Sequence, residues 1–144
     1  MERLRFSRYF RDCDFPVSVT VMPASGVKDT RLHSHDFSEL VLVGEGNITH
    51  HCGSASMVLR KGDFFIIHPG ASHAYRKPSP DALVYNLLYD SMVPIPVLMI
   101  NRLPFLQELY PAGRSGVPSG AGTISRVPQK SLPRIVRALE CIRT

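Results

Sequence analysis

The chain has 144 residues, 44% hydrophobic and 20% charged, with a net charge of +5. That is one domain's worth of sequence, apolar enough for a single core and too apolar for a disordered chain. No apolar run is long enough to span a bilayer, and Met-Glu-Arg-Leu-Arg at the start lacks a secretory signal's apolar stretch. Three scattered cysteines (Cys13, Cys52, Cys141) argue against a disulfide scaffold and fit a reducing, cytoplasmic setting.

In chain order, residues 1–11 carry four arginines against one glutamate. Phe15-Pro-Val-Ser-Val-Thr-Val-Met22 alternates apolar and small polar residues, which predicts a half-buried strand closed by Pro23-Ala-Ser-Gly26. Further strands are expected over 39–43, 47–51, 57–59, 64–67 and 83–89. Gly44-Glu-Gly46, Cys52-Gly-Ser54, Lys61-Gly-Asp63 and Pro69-Gly70 supply turns between them. Short strands at this spacing, among twelve prolines and ten glycines, indicate a sandwich or barrel.

The character changes near residue 100. Asn101 is placed to cap a short helix carrying Leu103, Leu106 and Leu109, and residues 111–128 are rich in Gly, Ser and Pro, as loops are. Ser131 then reads as an N-cap, with Pro133 in the first turn. Leu132, Ile135, Val136, Leu139 and Ile142 share one face of an amphipathic helix that runs to the last residues. Residues 12–100 are mildly acidic, with nine acidic against six basic residues, so the basic excess sits on the two flanks. Neither flank shows the clustered basic pattern of a nucleic-acid surface.

The chemistry concentrates in His33-Ser-His35-Asp-Phe-Ser-Glu39, with His73 further on. If this stretch is extended, His33, His35, Glu39, Val41 and Val43 face one side. Two imidazoles and a carboxylate converging in an enclosed space suit a divalent transition metal such as Zn, Ni, Mn or Fe. His73, after Pro69-Gly-Ala-Ser, is the natural fourth ligand. The same groups equally suit a polar small-molecule pocket. Glu45, His50 and His51 sit near a turn and are expected to face solvent.

These spacings resemble a known family. Gly26, His33-Ser-His35, Glu39 and Gly46 resemble the first cupin motif, with one extra residue after the first glycine; Gly62, His68-Pro69-Gly70 and His73 resemble the second. His68 stands where that motif has proline, and Lys77 where it has asparagine. The resemblance implies a mainly β fold: a double-stranded β-helix, or jelly-roll barrel, followed by C-terminal helices. Its metal-ligand positions fall on His33, His35, Glu39 and His73.

His35-Asp-Phe-Ser-Glu-Leu-Val-Leu-Val43, Gly62-Asp-Phe-Phe65, Leu83-Val-Tyr-Asn-Leu-Leu-Tyr89 and the closing helix are further similar to the N-terminal domains of bacterial AraC-type transcription regulators, especially the rhamnose-responsive branch. That resemblance implies a barrel over residues 1–100 that binds a small effector, often a sugar, behind an N-terminal arm (Arg3 to Arg11). It implies a helical dimerisation segment over 101–144, with Leu132, Ile135, Leu139 and Ile142 against a homodimer mate. DNA would be bound by a pair of helix-turn-helix units, of which this sequence contains none, so about a hundred further residues are expected in the full regulator. Beyond the four ligand positions, the expected pocket residues are Phe37, Val41, Tyr75, Tyr85 and Asn86. Tyr85 and Asn86 have opposite parity, so only one of them faces inward on a regular strand. The alternative is a small metal-dependent cupin enzyme, an oxygenase or isomerase. A barrel filled by Phe64, Phe65, Val41 and Leu87 would instead be a plain dimerisation module.

Overall fold

Two five-stranded sheets face each other in the computed structural model, which describes residues 2–9, 17–28, 30–90 and 124–143. The elements are β1 (Glu2–Leu4), α1 (Phe6–Tyr9), β2 (Val17–Pro23), α2 (Ala24–Lys28), β3 (His33–His35), β4 (Ser38–Glu45), β5 (Asn47–Cys52), β6 (Ala55–Arg60), β7 (Asp63–Ile67), β8 (His73–Arg76), β9 (Leu83–Tyr89), β10 (Ser125–Arg126) and α3 (Leu132–Arg143). One sheet runs β1-β3-β8-β5-β6 and the other β10-β7-β4-β9-β2. The short, punctuated strands form the expected barrel, in the jelly-roll arrangement that the cupin resemblance implies. The expected helix from Asn101 and residues 111–123 of the loop expected over 111–128 lie outside the described residues; the rest of that loop is not all irregular, since it contains β10. No described helix is long and apolar enough to cross a membrane.

The turns form where backbone chemistry requires them. Gly46 joins β4 to β5 at φ +65°, and a Cβ there would lie 2.9 Å from the Ala82 Cα and against the Ser79 hydroxyl, so no side chain fits. At Gly44 the register of β4 against β9 shifts, and a Cβ would meet the Tyr85 ring at 2.6 Å. Lys77 is the only non-glycine residue at positive φ (48°) among those described.

Between the sheets, Val41, Val43, Ile48, Leu59, Phe65 and Ile67 form a fully buried apolar block. A second cluster lies outside the barrel. There Val19, Leu42 and Tyr85 are covered by Leu132 and Leu139 of α3, with Val136 packed alongside. Burying two leucines is worth about 3–6 kcal/mol, enough to dock a twelve-residue helix in cis. The segment leading to α3 is tied to the same sheet: β10 pairs antiparallel with β7, and Arg126 Nε donates to Asp63 Oδ1 at 2.7 Å.

Candidate functional site

β3 and β4 are separate strands in opposite sheets, with Asp36 and Phe37 in the bend between them. His33, His35 and Glu39 therefore do not share a face of one extended strand. They converge because the chain turns the barrel's corner, so that the histidines reach in from one sheet and Glu39 from the other. His73 lies opposite His33 in the β3–β8 register.

His35 and His73 are fully buried and Glu39 is 4% exposed. Ligand atoms of His33, Glu39 and His73 all lie within 4.8 Å of one another. His35 Nε2 lies 3.1 Å from Glu39 Oε2, and His73 Nε2 lies 3.5 Å from the same oxygen. Burial pushes the Glu39 carboxyl up, but the adjoining His35 and His73 imidazoles outweigh it and hold the group well below the usual carboxylate range. Burial also lowers His33.

The hydrogen bonds around this centre fix two of its rings. A carbonyl only accepts, so His33 Nδ1–H donates to the Arg31 carbonyl (2.8 Å) and His35 Nδ1–H to the Phe37 carbonyl (2.5 Å). A neutral His33 then keeps its Nε2 lone pair for the interior, whereas the His35 Nε2 beside Glu39 needs a shared proton or a cation, since a carboxylate only accepts. Backbone carbonyls fixing the outer nitrogen are also what orients metal-ligating histidines. The donor set of His33, Glu39 and His73, with His35 beside it, therefore fits a divalent transition metal.

A cavity of about 240 Å³ opens beside the centre. Glu39, Tyr75 and Asn86 reach it from three strands in both sheets, and Leu4, Tyr9, Phe37 and Leu88 form an apolar side. Phe37 stacks on His35 at 4.5 Å with planes 11° apart, and Tyr9 meets Phe37 edge-on at 5.4 Å. The N-terminal arm thus contributes wall. β1 pairs parallel with β3, putting Leu4 opposite His35.

Three of the expected pocket residues, Phe37, Tyr75 and Asn86, line this cavity. Tyr85 does not. Alternation along β9 sends Asn86 inward, and the Tyr85 ring points out under α3, where its hydroxyl bonds Glu140. Val41 points inward but belongs to the apolar block beyond the cavity. The interior is only partly filled: Val41 and Phe65 are inside, whereas Phe64 and Leu87 pack outside beneath α3.

The expected dimer face also divides. Leu132 and Leu139 are consumed by the barrel's own outer sheet, whereas Ile135 and Ile142 stay 37% and 43% exposed. The stripe left open on α3 is narrower than the sequence pattern, and its leucines are not available to a mate.

His50, expected to face solvent, is fully buried. It packs against Phe65, Tyr75 and His73, and burial, reinforced by His73, pushes its pKa down to about 4. The signal for this lies in β5. His50 shares parity with Ile48, and an inward Ile48 carries His50 in with it.

Residues 27–91 match the family of the AraC-like ligand binding domain. Over that stretch, a little under half of the chain, the barrel resembles an AraC-like ligand-binding domain. The HTH-type transcriptional activator RhaR of Escherichia coli K12 is 37% identical over 57 residues, covering 40% of this chain and 20% of RhaR. The matched stretch is thus about a fifth of that relative's length. ToxT of Vibrio cholerae shares the fold at a TM-score of 0.54 and 8% identity, over 85% of this chain and 46% of ToxT. A cupin protein of Bacteroides fragilis aligns at a TM-score of 0.44 and 19% identity, over 56% of this chain and 69% of its own. The matched family is described as a ligand-binding domain, and RhaR is by name a transcriptional activator.

Proposed function

We propose that the chain is the effector-sensing domain of an AraC-type transcription regulator, and that its effector is a small polyol, such as a sugar, held in the cavity. The observation that carries this is the cavity's division into a polar wall of Glu39, Tyr75 and Asn86 and an apolar wall of Phe37, Leu88, Leu4 and Tyr9. Hydroxyls suit the first and a sugar's apolar face suits the second. Because Leu4 and Tyr9 belong to the arm, a ligand touching them binds one placement of the arm better than another, which is what a population shift needs. In this reading the regulator acts in the bacterial cytoplasm as a homodimer, and contacts DNA outside this barrel.

The centre fits a divalent metal, and the proposal includes one, held by His33, Glu39 and His73 with His35 adjacent. Bound there, the ion would be a Lewis-acidic anchor for ligand oxygens. The chain's own residues orient those oxygens from Glu39, Tyr75 and Asn86.

Elemental analysis of the purified protein, joined to a thermal-shift screen of monosaccharides and sugar acids, tests both parts. Near-stoichiometric Zn, Ni, Mn or Fe that disappears in His33→Ala is expected, as is a shift with at least one polyol that Asn86→Leu abolishes. Metal-free protein refutes the cation. Turnover of a substrate by the metal-loaded protein, with no sugar-induced shift, would instead establish the cupin-enzyme reading.

A further inference from the structure

The sheet that floors the cavity sets its polar groups in a line. Glu39 on β4 lies opposite Leu88 on β9, and Asn86, two residues back on the same inward face, lies opposite Thr20 on β2. All four line the cavity. Opposed residues on antiparallel strands have Cβ atoms about 4.5–5.5 Å apart, and diagonal neighbours are about 7–8 Å apart. Glu39, Asn86 and Thr20 therefore form a polar track. It leaves the histidine centre, crosses β9 and ends on β2, an edge strand of its sheet.

The two residues beyond Glu39 carry polar groups that the strands themselves do not require. Asparagine is depleted in strands, and Asn86 Oδ1 is buried with no hydrogen-bond partner among the described residues. Valine nearly matches threonine in shape and favours strands as well, so what Thr20 adds is its hydroxyl. On the other face of β2, Val19 and Val21 pack under α3, so alternation turns Thr20 to the cavity. A carboxylate only accepts, whereas an amide and a hydroxyl each donate and accept, so the track suits hydroxyls along its whole length.

We propose that Thr20 is a specificity-determining residue: with Asn86 it takes a hydroxyl at the end of the ligand remote from Glu39. The ligand class is then a polyol long enough to span the track, with hydroxyls at both ends, and not a short diol held at the centre alone. Thr20 has this role only if the polyol reading above holds, and has it with or without a metal. A short polyol satisfies the charge-assisted bonds at Glu39 first, because these are the stronger, and leaves Thr20 untouched. A longer one reaches both.

Methyl 1H–13C spectra of the full chain, titrated with glycerol and with the pentitols xylitol, ribitol and D-arabitol, follow binding at Met22 and Leu88 without the natural effector. Wild type is expected to bind at least one pentitol about 3–10-fold more tightly than glycerol, the worth of one neutral hydrogen bond. Thr20→Val is expected to weaken that pentitol by the same factor and to leave glycerol unchanged. Thr20→Ser, which keeps the hydroxyl, is expected to restore pentitol binding. An unchanged pentitol affinity in Thr20→Val, equal losses for pentitol and glycerol, or a loss that Thr20→Ser does not restore overturns the proposal. Wild type that binds none of these polyols also overturns it, and takes the polyol reading with it only if the sugar screen is blank as well. Should Thr20→Val fail to fold, Thr20→Ala removes the same hydroxyl and is read in the same way.

Discussion

Lys77 is a residue at which this chain departs from the motif it resembles, and the departure carries a cost in backbone energy. It occupies the position where the second cupin motif has asparagine, and its φ of 48° lies in the left-handed region. Asparagine visits that region several times more readily than lysine, because its short amide bonds nearby backbone. Lys77→Asn is therefore expected to stabilise the fold by about 0.5–1 kcal/mol, read as a higher denaturant midpoint with an unchanged slope. Other single residues in the site carry paired burdens. Glu39 keeps its charge despite full burial because two imidazoles touch it. Phe37 supplies a carbonyl to His35 and stacks a ring on it.

At the scale of elements, the most instructive strands are those whose alternation is plain in the sequence but whose apolar side faces away from the barrel interior. In β2, alternation alone marks Val19 and Val21 as the core face. They pack outside the barrel under α3, while Thr20 and Met22 line the cavity. The rule that apolar residues point to the core presumes a filled interior. Where the interior is a ligand cavity and a helix covers the back of the sheet, polar residues turn inward. This is also why Asn86 is inside and Tyr85 outside on β9. Strand existence is legible because turn residues and alternation are local. The meeting of His33, His35 and Glu39 from opposite sheets is not, because a corner between β3 and β4 leaves no periodic trace. The helix α3 gives the matching prediction. Leu139→Ala is expected to cost about 2–4 kcal/mol, since it empties a site packed against the barrel. Ile142→Lys, on the exposed side, is expected to change stability by less than about 0.5 kcal/mol. If Ile135 and Ile142 meet a two-fold mate, that same lysine yields monomers by light scattering, with the barrel's circular dichroism retained. A dimer that persists places the interface elsewhere.

For the molecule as a whole, the barrel and its C-terminal helix are joined through the β7–β10 pairing and one ion pair. Burial alone would raise the Asp63 carboxyl. The Arg126 guanidinium and the Arg60 amide outweigh it and hold the group low. A carboxylate whose folded pKa is depressed adds stability above its unfolded value, and that stability is lost as pH falls through the folded value. Unfolding midpoints measured from pH 6 downward are thus expected to drop below about pH 4, and Asp63→Asn is expected to flatten this part of the profile. An unchanged profile in the variant would assign the acid sensitivity to other groups. The distribution of charge fits the same picture, with an acidic middle forming the barrel and basic residues on the arm and on α3.

The wall between the cavity and α3 is a single sheet, and β9 serves both sides with alternate residues: Asn86 and Leu88 inward, Tyr85 and Leu87 outward. A ligand and the helix therefore press on the same backbone from opposite directions. Thermodynamic linkage makes any resulting influence mutual. If filling the cavity tightens the docking of α3 by some factor, docking α3 must tighten the ligand by the same factor. The affinity of this barrel for any ligand in the cavity is then a property of whatever α3 is allowed to do, and a partner that pulls the helix away would act as an antagonist without entering the cavity.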